Sequence, residues 1–409
     1  MQPYTKLFHR ARIILLGGIN RIAVPINNVV VSYLIISYTS ANFWGSIVYV
    51  IILLDFAFSI ISWGNRPYLI REFSLNPKNI PKDWRESFAH RLILLLLFWG
   101  VLLILPYSWE IKLLLIVWSV ARYLYQSFEA VIQYQRNFSF SLFNELAGLI
   151  IIVIPILVVG KEIEFETVIL LYSLSISVRA IMNLIFYNKF LHTVINSTNQ
   201  SLVINTGSFL SRSKLFLIDS FPFLLLTFSA MLRQRTDLFC VAYFLEKGEV
   251  AQYQIFLSFL GFSQLAASLL LSPFAKNIFR LPKKSLRKLE RSFMGAGVII
   301  TLVLIIAIYL IMTQLYGFEF SRNLYILGYV YAVSSYLFLI KNFELGKARK
   351  QRYVAYYALA AGLINLIFSI VLTPYFKLEG ALSAGIGAQI FLIIMYNWRR
   401  IKPGKSVLP

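Results

Sequence analysis

The sequence predicts an all-α integral membrane protein of about twelve transmembrane helices, in two six-helix lobes related by a parallel pseudo-repeat around a central cavity. Three observations predict it. The 409 residues are 58% hydrophobic with mean hydropathy +0.71, apolar runs long enough to cross a bilayer follow one another end to end, and basic residues collect in alternate connections. A soluble domain is about a quarter charged, whereas this chain is 14% charged. Crossing roughly 30 Å of hydrocarbon takes about 20 apolar residues in a helix, and a closed barrel would show short alternating segments instead.

Apolar windows place the first six spans near 13–37, 43–65, 91–107, 112–132, 138–159 and 166–188. Lys6, Arg10 and Arg12 precede the first, as in a signal peptide. That run nevertheless contains Asn20, Arg21, Asn27 and Asn28 and lacks a small-residue cleavage site, so it is read as a retained helix. The second six spans fall near 214–243, 249–273, 293–313, 323–341, 352–373 and 379–397. Arg233, Arg235 and Asp237 interrupt the seventh, which is one long helix or a broken one. Between the sets, the connection near 189–213, with its polar run from Asn196 to Ser201, divides the chain into lobes at 1–206 and 207–409.

A formal charge of +21 would suit a nucleic-acid binder if it lay on one folded face. Here 29 of the 39 Lys and Arg fall in the N-terminal segment and every second connection after it, against 5 in the intervening ones. That asymmetry places both termini in the cytoplasm and excludes nucleic acid as a partner. The remaining five are arginines inside the membrane. An internal repeat appears at an offset of 206 residues, where Gly45 meets Ala251 and Pro67 meets Pro273. Six spans per half, each half starting in the cytoplasm, make the repeats parallel.

Enzyme signatures are missing: there is no Walker A run, HExxH, cysteine pair or glycine fingerprint, and no cofactor is expected. His9, His90 and His192 sit at cytoplasmic helix ends, as interfacial anchors do, and Cys240 reads as a packed core thiol. Intramembrane charge is costly and therefore informative. Arg122, Gln126, Glu129 and Gln133 recur at i, i+4, i+7 and i+11 in the fourth span, and Asp55, Ser59, Ser62 and Arg66 repeat that spacing in the second. Asn20, Arg21, Asn27 and Asn28 cluster around Pro25, and Tyr172, Ser175, Arg179 and Asn183 share a face of the sixth span.

Two readings of these stripes stand side by side. In one they are interhelical pairs, for example Arg122 with Glu129 or Glu145, and Arg233 with Asp237. In the other they line a wet, cationic cavity, with Arg21, Arg122, Arg179, Arg233, Arg235, Asn27 and Asn28 binding substrate and Asp55, Glu129, Glu145, Asp219 and Asp237 as ion-coupling groups. Guanidinium groups stay charged and grip phosphate oxygens in pairs.

Further residues carry a family resemblance. Trp44-Gly45 opens the second span, Gly64 precedes Arg71-Glu72, and Gln133-Tyr134-Gln135-Arg136 ends the fourth. Arg235-Thr236-Asp237, Val250-Ala251-Gln252-Tyr253 and Pro273 follow, then Asn365, Pro374, Gly380, Ala381 and Ala384. In this order the chain resembles the O-antigen or capsule-type polysaccharide flippases of the multidrug/oligosaccharidyl-lipid/polysaccharide transporter superfamily, with Ala251 where glycine is usual. The resemblance implies a non-enzymatic, multi-pass protein of the bacterial inner membrane. It implies alternating access, with membrane lipids, a polyprenyl-pyrophosphate-linked oligosaccharide and a polysaccharide polymerase as partners, while the buried carboxylates are what would take up H+ or Na+ as a coupling ion. A multidrug exporter of the same superfamily would want an acidic pocket, against which the five arginines weigh. A membrane glycosyltransferase or polymerase would need a large external loop, and the external connections here are short.

Overall fold

The computed structural model describes residues 3–199, 206–271, 282–347 and 351–401, and every regular element among them is helical. In chain order these are α1 (Pro3–Tyr38), α2 (Ala41–Ile61), α3 (Asn65–Leu75), α4 (Ile80–Ile104), α5 (Trp109–Gln135), α6 (Phe138–Val159) and α7 (Phe165–Phe186). Next come α8 (Asn188–Asn199), α9 (Thr206–Phe244), α10 (Lys247–Leu271), α11 (Lys283–Gln314), α12 (Arg322–Lys347) and α13 (Gln351–Ile401).

Ten segments among the described residues are long and apolar enough to cross a membrane. Two details bring the number to twelve. Helix α5 is 27 residues long, but Lys112, Arg122, Gln126 and Glu129 depress its hydropathy. The segment Tyr353–Trp398 is two crossings, because Lys377 takes φ 48° and ψ −130° and breaks α13 into two limbs. A Cβ on Gly380 would lie 2.3 Å from the Leu372 carbonyl oxygen and one on Gly387 3.1 Å from the Phe368 ring, so the limbs fold back on each other. The twelve crossings fall where the apolar windows put them.

Connections differ more. The basic stretch near 66–91 is helical almost throughout, because Trp84, Ser87, His90 and Arg91 are buried and α4 continues the pattern eleven residues before its apolar run. His90 is a core residue against the Phe216 ring, 4.9 Å between centroids, rather than an interfacial anchor. His192 is exposed, and the His9 side chain lies outside the described ones. Residues 188–199 form α8, whose Phe190, Leu191 and Val194 pack on the cluster of Leu69, Phe73, Trp84 and Phe128. Helix α9 is unbroken through Arg233, Arg235 and Asp237. Pro273 and residues 272–281 of the second basic connection lie outside the described residues.

The chain forms two compact units, Met1–Thr39 with Tyr49–Phe228, and Ser40–Val48 with Ser229–Pro409. In the first, α5 is the hub: it packs on α3, α4, α6 and α7, while α1 packs on α6 and α4 on α8. In the second, α12 packs on α10, α11 and α13. Its core is Phe293, Tyr336 and Ile340 at one level and Ala388, Leu392 and Tyr396 at another. Cys240 is buried, as a packed thiol should be.

The second unit includes the first turns of α2, and there the packing is closest. A Cβ on Gly45 would stand 1.9 Å from the Lys247 carbonyl oxygen, and one on Gly248 2.7 Å from the Asn42 side chain. The Trp44 indole donates to Gln254 Oε1 at 3.2 Å, with both residues buried. Only a residue without a side chain lets two helix backbones approach so nearly.

Candidate functional site

Helical period alone gathers Arg122, Gln126, Glu129 and Gln133 on one face of α5, and each meets a different neighbour. Arg122 Nη2 donates to Asp55 Oδ1 on α2 at 2.7 Å, and its guanidinium sits 4.7 Å from the Phe58 ring centre. Neither Glu129 nor Glu145 is its ion-pair partner. Glu129 is seven residues farther along the same helix, about 10 Å away, and it faces α3, where its Oε2 is 3.9 Å from Arg66 Nη1. Arg66 Nε donates to Gln133 Oε1 at 2.8 Å.

The α2 stripe does not run straight to Arg66. Trp63 and Gly64 take φ 45° and 63°, ending α2 and starting α3, so Arg66 stands on a new helix. Gly64 is required twice over, by its left-handed φ and because a Cβ would come 2.4 Å from the Phe223 backbone carbon.

A second polar knot joins α1, α5, α6 and α7. Arg179 forms a close ion pair with the Glu145 carboxylate, and the Tyr125 hydroxyl donates to the same oxygen. The Arg179 guanidinium lies 4.5 Å from the Tyr125 ring centre. Asn27 Nδ2 donates to the Glu145 carbonyl oxygen at 3.5 Å, and Asn144 Nδ2 to Asn183 Oδ1 at 3.1 Å.

Arg91 closes a basic connection in the sequence, where it reads as loop charge. It is 2% exposed. Its Nε donates to the Ser87 carbonyl at 3.2 Å, its Nη2 to Ser127 Oγ at 2.9 Å, and its guanidinium lies 5.1 Å from the Tyr123 ring centre. A usable signal existed, since Trp84, Ser87, Arg91 and Leu95 follow one another at helical spacing and are all buried. With Arg66, Asn65, Ser62, Gln126 and Glu129, Arg91 lines a cavity of about 350 Å³ in the first unit.

In the second unit Asp237 is fully buried and accepts from the Tyr253 hydroxyl at 2.8 Å and from the Leu238 N–H at 2.9 Å. Asn365 is equally buried and donates to the Arg233 carbonyl at 3.1 Å, tying α13 to α9. Asn365, Gly380, Ala381 and Ala384, which carry much of the family resemblance, are therefore close-packing positions of α13. Arg233 and Arg235 are half-buried on α9. Arg21 and Asp219 are exposed and Asn28 is half-buried, outside both knots.

Among the described residues no group of His, Cys, Asp and Glu has the makings of a metal site. What the geometry offers is four guanidinium groups, Arg66, Arg91, Arg122 and Arg179, each oriented by a carboxylate, an amide or an aromatic face. That arrangement suits recognition of an anion.

No family model and no curated protein matches this chain. Among solved structures it is similar to one described as "Lipid II flippase MurJ, inward closed conformation", with a TM-score of 0.68 and 13% identity over 95% of this chain and 88% of that one. Nearly the whole chain thus has the fold of that flippase.

Proposed function

We propose that this protein translocates polyprenyl-pyrophosphate-linked oligosaccharide repeat units from the cytoplasmic to the outer face of the bacterial inner membrane, by alternating access, for surface polysaccharide synthesis. The observation that carries the reading is the fold, shared over 95% of the chain with a protein described as a lipid II flippase. The cavity in which Arg66 and Arg91 outnumber the single carboxylate Glu129 supports an anionic substrate. The acids give less support to a cation exporter, because Asp55 and Glu145 are each engaged by an arginine.

In this reading Arg21, Arg122, Arg179, Arg233 and Arg235, with Asn27 and Asn28, contact the substrate, and both termini are cytoplasmic. The lobes are 1–206 and 207–409. A repeat of that size is supported by helix ends at Tyr38 and Phe244 and helix starts at Ala41 and Lys247, each pair 206 residues apart. A carboxylate among Asp55, Glu129, Glu145, Asp219 and Asp237 takes up H+ or Na+ on the return step, and a polysaccharide polymerase receives the product.

The test is reconstitution. Proteoliposomes given a fluorescent polyprenyl-pyrophosphate oligosaccharide on one face should move it to the other, and vesicles without protein should not. Equal rates with and without protein would overturn the proposal. Imposing a pH or Na+ gradient at clamped potential should change the rate if a carboxylate is coupled.

A further inference from the structure

The cavity at the α2–α3 turn holds two guanidinium groups against one carboxylate. Arg91 sets its character. A buried guanidinium ordinarily meets an acid, because an uncompensated charge in a low-dielectric interior is strongly destabilising. Among the described residues no carboxylate lies within ion-pair distance of Arg91, although Glu129 in the same cavity lining attracts it; two neutral acceptors, bound by its Nε and Nη2, and a ring face hold it.

Arg66 also lines the cavity; it donates through Nε to Gln133, and its terminal nitrogens make no hydrogen bond among the described residues. Its distance to Glu129, 3.9 Å, is longer than a hydrogen bond. The Gln126 side-chain oxygen is buried without a partner, and a half-turn of that amide presents two N–H donors instead. Helix α3, 11 residues long, begins here with no side-chain cap; Asn65 N–H is bonded to the Ser62 carbonyl and Pro67 has no N–H, so its first turn adds the Arg66 backbone N–H and the positive end of its dipole. A volume of about 350 Å³ is within the range of small-ligand sites.

We propose that this cavity binds a phosphate or diphosphate group, gripped by the side chains of Arg66 and Arg91 with Gln126 and the Arg66 backbone N–H. Glu129 turns Arg66 toward the cavity, and the more densely charged phosphate takes the guanidinium from it. The inference rests on the proposed function only for the source of the group. The charge asymmetry puts the α2–α3 turn at the cytoplasmic face, where a lipid-linked diphosphate is first met.

The full chain in phosphatidylcholine nanodiscs is titrated calorimetrically with farnesyl diphosphate, inorganic pyrophosphate and farnesol. Both diphosphates should bind and farnesol should not. A tenfold preference for farnesyl diphosphate points to a lipid-linked source, and equal affinities point to a free phosphate compound. Arg91→Gln should weaken binding but risks misfolding. The decision therefore lies with Arg66→Gln, at an exposed position, and Gln126→Glu, nearly isosteric and repulsive, each expected to weaken farnesyl diphosphate at least tenfold. Wild-type affinity in both variants, or no binding of either diphosphate by the wild type, would overturn the site. A wild type that binds diphosphate without translocating lipid-linked oligosaccharide overturns the proposed function and leaves the site standing. Translocation with unaltered binding in Arg66→Gln and Gln126→Glu does the reverse.

Discussion

Arg122 and Asp55 are 67 residues apart in the chain and 2.7 Å apart in space, each about one-fifth exposed. Removing one charge strands the other. Arg122→Gln is expected to lower stability by about 1.5–3 kcal/mol, and adding Asp55→Asn should restore much of the loss. If Arg122 also contacts substrate, the stable double variant still fails to translocate, so thermal unfolding in nanodiscs and vesicle transport together separate the two roles. The polar face of α5 was legible because its spacing follows the helical period. Its partners were not, since periodicity describes one helix and is silent on which helix lies opposite. Arg91 was hidden for a different reason: beside Lys82 and Arg85 it reads as loop charge, and only the burial of α4 ahead of its apolar run reveals it.

Helix-on-helix contact at Gly45 cannot be relieved by a rotamer, because the opposing atom is the Lys247 backbone oxygen. Gly45→Ala is expected to force the starts of α2 and α10 apart and to cost about 1–3 kcal/mol. Gly100, on α4, has nothing within 4 Å of its would-be Cβ. Gly100→Ala should therefore be neutral or stabilising by about 0.5–1 kcal/mol, and thermal unfolding of the two variants gives the contrast. All twelve crossings could be read from apolar length. What could not be read was the behaviour of polar connections, because α3 and α8 have mixed composition and are helical through packing against Trp84 and Phe128. The α2 stripe failed at Ser62 because a left-handed pair, Trp63 and Gly64, resets the helical phase.

For the molecule as a whole, the charge asymmetry makes a topological statement that labelling can check. A cysteine at Lys161 should react with an impermeant maleimide added outside intact cells, and one at Lys189 only after permeabilisation. Buried Cys240 contributes little background. The reverse pattern would invert the protein and with it the direction of transport. On the expected topology, outward movement of net negative charge is favoured by about 2.3 kcal/mol per charge per 100 mV, inside negative. The elbow of α13 bears on how the chain enters the bilayer at all. No loop separates its limbs, so the ribosome delivers residues 351–401 as one apolar hairpin with only Lys377 and Glu379 charged near its tip. A lysine held at mid-bilayer would cost about 2.5–3.5 kcal/mol, a penalty met once, in passing, by a hairpin that goes in whole. The two limbs are thus expected to enter the bilayer together, with the orientation of the second following from that of the first.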